Sequence, residues 1–135
     1  MEMLRLMETN IYTFHGTLLI AGACLAEVWP QAFAQLAERA DMVAGLCLET
    51  THINMAVTKI AAVLGTGQVK KLVFASVDRS PHCTQMHYIK HEIERTLPEH
   101  VPVKDLVVCE GRIVAVPDAA IELSKSLARL SRMVP

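Results

Sequence analysis

The chain has 135 residues, 52% of them hydrophobic and 20% charged, with 13 basic and 14 acidic side chains and a formal net charge of −1. This length and composition predict a single domain over residues 1–135 with a sizeable core, and they argue against a disordered linker. The balanced charge and the scarcity of aromatic residues argue against nucleic-acid binding, which uses basic surfaces and stacking platforms.

Strands and helices are predicted to alternate in the first half of the chain. Apolar runs and helical spacing predict a buried strand, a helix and a second strand over residues 17–24, 25–40 and 41–48. Thr50 or Thr51 can cap the helix that follows by accepting an orphan backbone amide. We expect this helix to stop at Gly65-Thr66-Gly67, because these glycines suit a left-handed exit.

The same alternation continues in the second half. The pattern predicts a strand over 71–77, a helix over 83–97 that ends before Pro98, and a strand over 103–109. Residues 112–116 can fold back on that last strand as a hairpin at Glu110-Gly111. A final helix begins at Pro117-Asp118, and helical spacing predicts its buried stripe as Ala119, Leu123, Leu127 and Leu130.

Four strand–helix alternations predict an α/β protein. We expect a single-domain three-layer sandwich with a Rossmann-like or flavodoxin-like, mostly parallel sheet of about four to five strands. Residues 1–10 are ambiguous, and form either a helix or an arm that reaches a neighbouring chain. The apolar excess indicates a buried sheet, a subunit interface or both, so we expect a homo-oligomer.

Neither a signal peptide nor a membrane span is predicted. The amino terminus has no basic segment followed by a long apolar run, and the longest apolar stretch, residues 17–26, is too short to cross a bilayer. We therefore expect a cytoplasmic protein whose cysteines are reduced thiols.

Two polar loops follow the second and third predicted strands. Because the carboxyl ends of parallel strands meet at one edge of a sheet, we expect these loops to be neighbours and to form a ligand site. Imidazoles there can bind a metal or transfer a proton near neutral pH. The alternative assigns the same side chains to helix capping and turns. The candidate binding residues are Glu49, Thr50, His52 and Asn54 on the first loop, and Ser76, Asp78, Arg79, Ser80 and His82 on the second.

The cysteines give a second set of candidates. Each falls at or just past the end of a predicted strand, at Cys24, Cys47, Cys83 and Cys109. Thiolates gathered at one edge can hold zinc or an iron–sulfur cluster, although cysteine is also a common buried residue. Cys83, His87 and His91 also lie four residues apart, on one face of a predicted helix. An alternative metal site therefore uses Cys47 and Cys83 with His82 or His87.

The middle third of the chain resembles a known family. Ala44-Gly45-Leu46-Cys47, a polar loop, and then Asn54-x-x-Val57-x-Lys59-Ile60-x-Ala62 resemble the corrinoid-binding subunit of tetrahydromethanopterin S-methyltransferase. The resemblance implies a Rossmann-like domain whose bound cobamide carries a methyl group between two catalytic partners. It also implies that His82 is the axial ligand of cobalt.

On this hypothesis the chain is a non-catalytic cofactor carrier of anaerobic one-carbon metabolism, and other subunits supply the substrate. Glu49, Thr50 and Asn54 would contact the ring periphery, with Asp78 and Arg79 setting the polarity. Two alternatives stay open. One is a metal or iron–sulfur accessory protein that uses Cys and His side chains at the same edge. The other is a non-catalytic subunit that acts only through an apolar interface.

Overall fold

The structure, a computed structural model, describes residues 3–97 and 101–135. Within these residues one sheet contains six strands, which are β1 (Leu4–Arg5), β2 (Gly16–Gly22), β3 (Met42–Leu46), β4 (Val69–Val77), β5 (Val103–Cys109) and β6 (Arg112–Ala115). Their order across the sheet is β1-β3-β2-β4-β5-β6, and every pair is parallel except β5 and β6. The predicted mostly parallel sheet is confirmed, with slightly more strands than expected.

Helices cover both faces of the sheet. The α-helices in the described ranges are α1 (Leu25–Val28), α2 (Pro30–Glu38), α3 (Ile53–Leu64), α4 (Pro81–Thr84), α5 (Ile89–Thr96), α6 (Asp118–Ser124) and α7 (Leu127–Ser131). Helices α3 and α5 pack on one face of the sheet, and α2 packs on the other. The three-layer sandwich is therefore confirmed. None of these helices is long and apolar enough to cross a membrane.

The central strands β2 and β4 are buried on both faces. Leu18 and Phe74 pack with α3 and α5, whereas Leu19 and Val73 pack with α2. A strand covered on both sides needs apolar side chains at consecutive positions, not at alternate ones. This explains why the sequence shows continuous apolar runs here.

The amino-terminal segment belongs to the domain. Leu4 and Arg5 pair with Ala44 and Gly45 of β3, and Leu6 in the 3₁₀ helix that follows is completely buried. The predicted arm is therefore wrong for residues 3–10, while Met1 and Glu2 lie outside the described residues. A strand of two residues followed by a 3₁₀ helix is too short to give a periodic signal in the sequence.

Two predicted helices are each interrupted. The helix over 25–40 breaks at Trp29, because the ring of Pro30 disfavours helical geometry in the preceding residue. The final helix breaks before α7, where the Ser126 hydroxyl accepts a hydrogen bond from the Arg129 amide at 3.3 Å. The predicted buried stripe is wrong as well, since Ile121 is the buried residue of α6 and Leu127 is 81% exposed.

Helix α3 begins with a different cap from the predicted one but ends where predicted. His52, not Thr50 or Thr51, caps it, because the His52 Nδ1 atom accepts a hydrogen bond from the Asn54 amide at 3.1 Å. The left-handed exit at the two glycines is confirmed: Gly65 caps the helix with helical backbone geometry, and Gly67 has a φ of 74°.

The predicted hairpin is confirmed. Strands β5 and β6 are antiparallel and are joined by Glu110 and Gly111, with φ of 50° and 81°. Positive φ at both central residues is the signature of a type I′ turn, whose twist matches that of paired strands.

We predict that Leu6→Ala lowers the free energy of unfolding by about 2–5 kcal/mol, because it removes a fully buried side chain and leaves a cavity. Denaturant unfolding measures the change. Leu127→Ala, at an exposed position, is the control and should stay within about 0.5 kcal/mol of the parent. Equal stability of the two variants would mean that residues 3–10 do not pack on the core.

Candidate functional site

The direction of the strand connections reverses between β2 and β4, which makes the carboxyl edge of the sheet there a natural ligand site. The chain leaves β2 toward β3 and leaves the neighbouring β4 toward β5, so the connections after these two strands run in opposite directions across the sheet. Open α/β sheets bind ligands at the carboxyl ends of the strands around such a switch point. We call the residues that follow β2, β3 and β4 there the carboxyl rim, meaning residues 23–24, 47–49 and 78–83.

The predicted loops meet on this rim. The Ala23 amide donates a hydrogen bond to the Leu46 carbonyl oxygen at 3.1 Å, which joins the turns after β2 and β3. The His82 Nδ1 atom lies 3.9 Å from Glu49 Oε2, with side chains 49% and 71% exposed. This distance is too long for a hydrogen bond but brings an imidazole and a carboxylate together in reach of solvent.

Three of the four cysteines gather on the rim. Burial raises the pKa of the Cys24 thiol, and the neighbouring Cys47 and Cys83 thiolates raise it further. Cys109 stands apart, since a hydrogen bond with Asp78 is the main reason that its pKa is raised. Among residues 3–97 and 101–135, no group of three or more His, Cys, Asp or Glu side chains is placed to hold a metal ion.

Cys47 has an environment that favours its thiolate. Partial burial would raise its pKa, but hydrogen bonds from the Thr50 hydroxyl and from the Glu49 and Thr50 amides outweigh this effect, and the pKa is lowered. The Thr50 amide and hydroxyl also face the Cys47 carbonyl oxygen, each at 3.3 Å. A thiolate is the nucleophilic form of cysteine, so these hydrogen bonds favour the reactive form of Cys47.

Cys83 fills the switch point itself. A Cβ atom at Gly22, the last residue of β2, would lie 2.8 Å from the Cys83 sulfur. Only glycine leaves room for this sulfur at the end of β2. The chain reaches this position because Ser80 caps α4, with its hydroxyl 3.4 Å from the Cys83 amide.

The predicted helix over 83–97 is not continuous. A 3₁₀ helix, Gln85–Tyr88, separates α4 from α5. Because a 3₁₀ helix has three residues per turn, side chains four apart no longer share one face. Cys83 packs against Gly22, His87 points into the core, and His91 lies 3.1 Å from Glu122 of α6. The structure thus separates the three proposed metal ligands.

A buried network of three hydrogen-bonded side chains lies in the interior below the rim. The Ser76 hydroxyl lies 2.7 Å from His87 Nε2, and His87 Nδ1 lies 2.7 Å from the Asp105 carboxylate. These residues are only 1%, 4% and 4% exposed, respectively. The connectivity is that of a serine–histidine–acid triad, but a substrate needs access to the serine, which the burial of Ser76 prevents. These two hydrogen bonds instead connect β4, the 3₁₀ helix and β5.

The hydrogen-bond network of Ser76, His87 and Asp105 changes two predicted assignments. Both ring nitrogens of His87 are engaged, so the imidazole has none left for a metal. Ser76 is buried beneath the rim and cannot line a cofactor site on its surface. Sequence reasoning missed Asp105, although an acidic residue within the apolar strand 103–109 is a signal that a buried partner is required.

The other predicted binding residues are spread along the rim. His52 is occupied as the cap of α3, and Asn54 is exposed in the first turn of that helix. Asp78 lies beside Cys109 at the end of β5, and Arg79 forms the turn after β4 with a left-handed φ of 69°. Glu49, Thr50 and His82 therefore form the compact part of the predicted site.

Cavities lie elsewhere. One of about 390 Å³ is open at the amino half of the sheet, between α2 and the strands, with Thr17, Leu36, Lys71 and Lys104 in its lining. None of its lining residues is a cysteine, histidine or serine. We therefore place the candidate site at the rim, where an imidazole, a carboxylate and thiols come together.

A comparison with protein families matches residues 14–133 to the Rossmann-like domain family. The match covers most of the chain, and the chain therefore belongs to this family. Searches of curated proteins and of solved structures found no match. The family description names a fold and no ligand, so it leaves the function of the rim to its residues.

We predict that Gly22→Ala lowers the free energy of unfolding by about 1–3 kcal/mol, because its new methyl group collides with the Cys83 sulfur. The double variant Gly22→Ala/Cys83→Ala should recover most of this loss. Denaturant unfolding of the parent, both single variants and the double variant measures the coupling. Simple additivity of the two single changes would contradict the contact.

We predict that Asp105→Asn lowers the free energy of unfolding by about 1–3 kcal/mol, because it disrupts a buried 2.7 Å hydrogen bond between the His87 ring and the Asp105 carboxylate. Asp118→Asn is the matched control, since Asp118 lies 2.7 Å from Lys90 but is 58% exposed, and it should cost about 1 kcal/mol or less. The same denaturant unfolding experiment compares the two. Similar losses in both variants would argue that burial gives Asp105 no special role in the core.

Proposed function

We propose that this chain binds a corrinoid-type cofactor at its carboxyl rim and presents it to another protein subunit. The observation that carries the proposal is the half-exposed imidazole of His82 beside the Glu49 carboxylate. The sequence resemblance to the corrinoid-binding methyltransferase subunit supports the same residue as the axial ligand of cobalt.

The residues present fit such a cofactor. Histidines that bind metals commonly direct their other ring nitrogen at a carboxylate, which fixes the ring and increases its basicity. Glu49 Oε2 lies 3.9 Å from His82 Nδ1, close to the position of such a carboxylate but beyond hydrogen-bond distance, and no hydrogen bond engages His82 Nε2 within the described part of the chain. Nε2 is therefore the atom that would bind cobalt. When bound, the cofactor would supply a cobalt centre that accepts and donates a methyl group.

The rest of the rim would hold the ring. Thr50 and Asn54 are exposed near Glu49 and offer hydroxyl and amide groups to the polar ring periphery. Asp78 and Arg79 border the rim on the β5 side. The rim is open, so a flat ring would keep one face accessible, and a second subunit is the natural cover for that face. The predicted homo-oligomer stays a prediction.

A second candidate function is metal binding by the rim thiols. The nearness of Cys47 and Cys83 to Cys24, whose pKa they raise, favours it, because soft metals and iron–sulfur clusters are held by thiolates. Its ligands would differ from the predicted set, since His87 is engaged in the core and Cys24 takes its place.

We predict that the purified chain, incubated without oxygen with reduced cobalamin, retains the corrinoid through gel filtration and changes its visible spectrum. His82→Ala should lose most of this binding, because the axial imidazole is gone. His15→Ala is the matched control, since His15 is exposed just before β2, at the opposite edge of the sheet. It should bind as the parent does.

The outcomes separate the hypotheses. Failure of both the parent and His82→Ala to retain cobalamin would reject the proposal. Equal retention by both would reject His82 as the cobalt ligand. A brown protein that bleaches on reduction, or a colourless one that holds zinc, would favour the thiol site instead.

A further inference from the structure

We infer that the cavity beside α2 is a second binding site, which takes a small organic acid with an apolar body. The cavity is at the amino half of the sheet, whereas the carboxyl rim is at the other end of the strands. The inference therefore goes beyond corrinoid binding and does not require it.

The cavity exists because α2 leaves part of its face of the sheet uncovered. The last part of the chain packs on the opposite face, where Lys90 of α5 lies 2.7 Å from Asp118 of α6. Strand β6 consequently extends beyond α2, and all four of its residues are exposed. Helix α2 and the strands enclose about 390 Å³, a volume typical of small-molecule sites.

Apolar side chains form the floor of the cavity. Leu19, Val73 and Leu106 come from the neighbouring strands β2, β4 and β5, and all three are buried. Leu36 of α2 lines one side, and Ile113 of β6, which is 36% exposed, lies farther across the sheet. An apolar ligand body on this floor would remove the exposed part of Ile113 from water, which is favourable.

Three cations surround the apolar floor, namely Arg39 at the end of α2, Lys71 on β4 and Lys104 on β5. Val73 pairs with Lys104 in the register of these strands, and Lys71 precedes Val73 by two residues, so the two lysines share one face. Standard strand spacing places their Cα atoms roughly 8 Å apart. Ammonium groups on flexible stems can both reach one acid group at this separation.

The charge of the lining is unbalanced. Glu38 is the acidic residue that lines the cavity with these three cations. None of the three cations forms a salt bridge with a carboxylate of residues 3–97 and 101–135. Other lysines of the chain do have such partners, as Lys90 has Asp118 and Lys125 has Glu122. A concave site with excess positive charge attracts an anion.

A small organic acid matches both properties of the cavity. Its apolar body would lie on Val73, Leu106 and Ile113, and its acid group would lie between Lys71 and Lys104. An inorganic anion would leave the floor uncovered, and a neutral apolar molecule would leave the cations without a partner.

The first test compares two fluorescent probes that share one apolar body. Anilinonaphthalene sulfonate (ANS) carries an anionic group, and phenylnaphthylamine lacks it. We expect ANS to bind the folded full chain at one site and several-fold more tightly than the neutral probe, and high salt should weaken its binding by screening the charges. Octanoate should displace ANS, whereas octanol, which has no acid group, and acetate, which has no apolar chain, should displace it much less.

The double variant Lys71→Gln/Lys104→Gln tests the cations. It should weaken ANS binding by about three- to tenfold, as the loss of two exposed ion pairs predicts, and leave the neutral probe unaffected. Lys70→Gln/Arg132→Gln is the matched control, because it removes the same charge from two exposed residues that do not line the cavity. It should bind ANS as the parent does.

Ile113→Glu tests the position of the site. The substitution places a carboxylate in the lining, so it should repel ANS and abolish most of its binding. Val114→Glu is the matched control, because Val114 is the next residue of β6, is 43% exposed and does not line the cavity. Side chains alternate between the faces of a strand, so Val114→Glu should leave ANS binding at the parental level.

Several results would overturn the inference. Equal affinity of the parent for the two probes would reject an anion site, and equal losses in the two double variants would reject the lining cations. Unchanged ANS binding in Ile113→Glu would place the probe elsewhere. A dimer in sedimentation velocity that Ile113→Glu dissociates would make a second copy of the chain the occupant. The probe comparison uses the parent alone, so it decides the matter even if a variant does not fold.

Discussion

The pairing of β2 with its two neighbours is the constraint on which the rest of this structure depends. Strand β2 is hydrogen-bonded to β3 on one side and to β4 on the other, and its side chains are buried on both faces. A shift of β2 by one residue would exchange the two sets of buried side chains, which are not equivalent in size. The register is thereby fixed, and with it the positions of the turns that carry the rim.

The polar interior adds a second constraint on the same strands. Ser76 on β4 and Asp105 on β5 are joined through His87, and all three are buried. Polar groups removed from water must find partners, so these two hydrogen bonds favour the observed packing of the 3₁₀ helix over β4 and β5. The preceding helix α4 places Cys83 against Gly22 and His82 near Glu49. Residues 81–88 therefore contribute both to the interior network, through His87, and to the surface site, through His82.

Two kinds of chemical group lie on the carboxyl rim. His82 and Glu49 place an exposed imidazole near a carboxylate, and Cys24, Cys47 and Cys83 place thiols on the neighbouring turns. Both sets follow the ends of parallel strands, where backbone amides and short turns hold side chains without covering them. Imidazole and thiol groups are therefore concentrated at this edge, while the lining of the cavity at the amino half of the sheet has no histidine or cysteine.

The sequence by itself determined the α/β class, the parallel sheet, the β5–β6 hairpin and the edge on which His82 and Glu49 meet. These follow from local signals, namely apolar runs, turn residues and the rule that parallel strands end together. Only the tertiary structure decided that His87 faces inward to Ser76 and Asp105, that residues 3–10 join the sheet, and that Cys109 stands apart from the other thiols. Those outcomes depend on contacts between residues distant in the chain, and spacing along a helix cannot reveal that the helix changes its pitch.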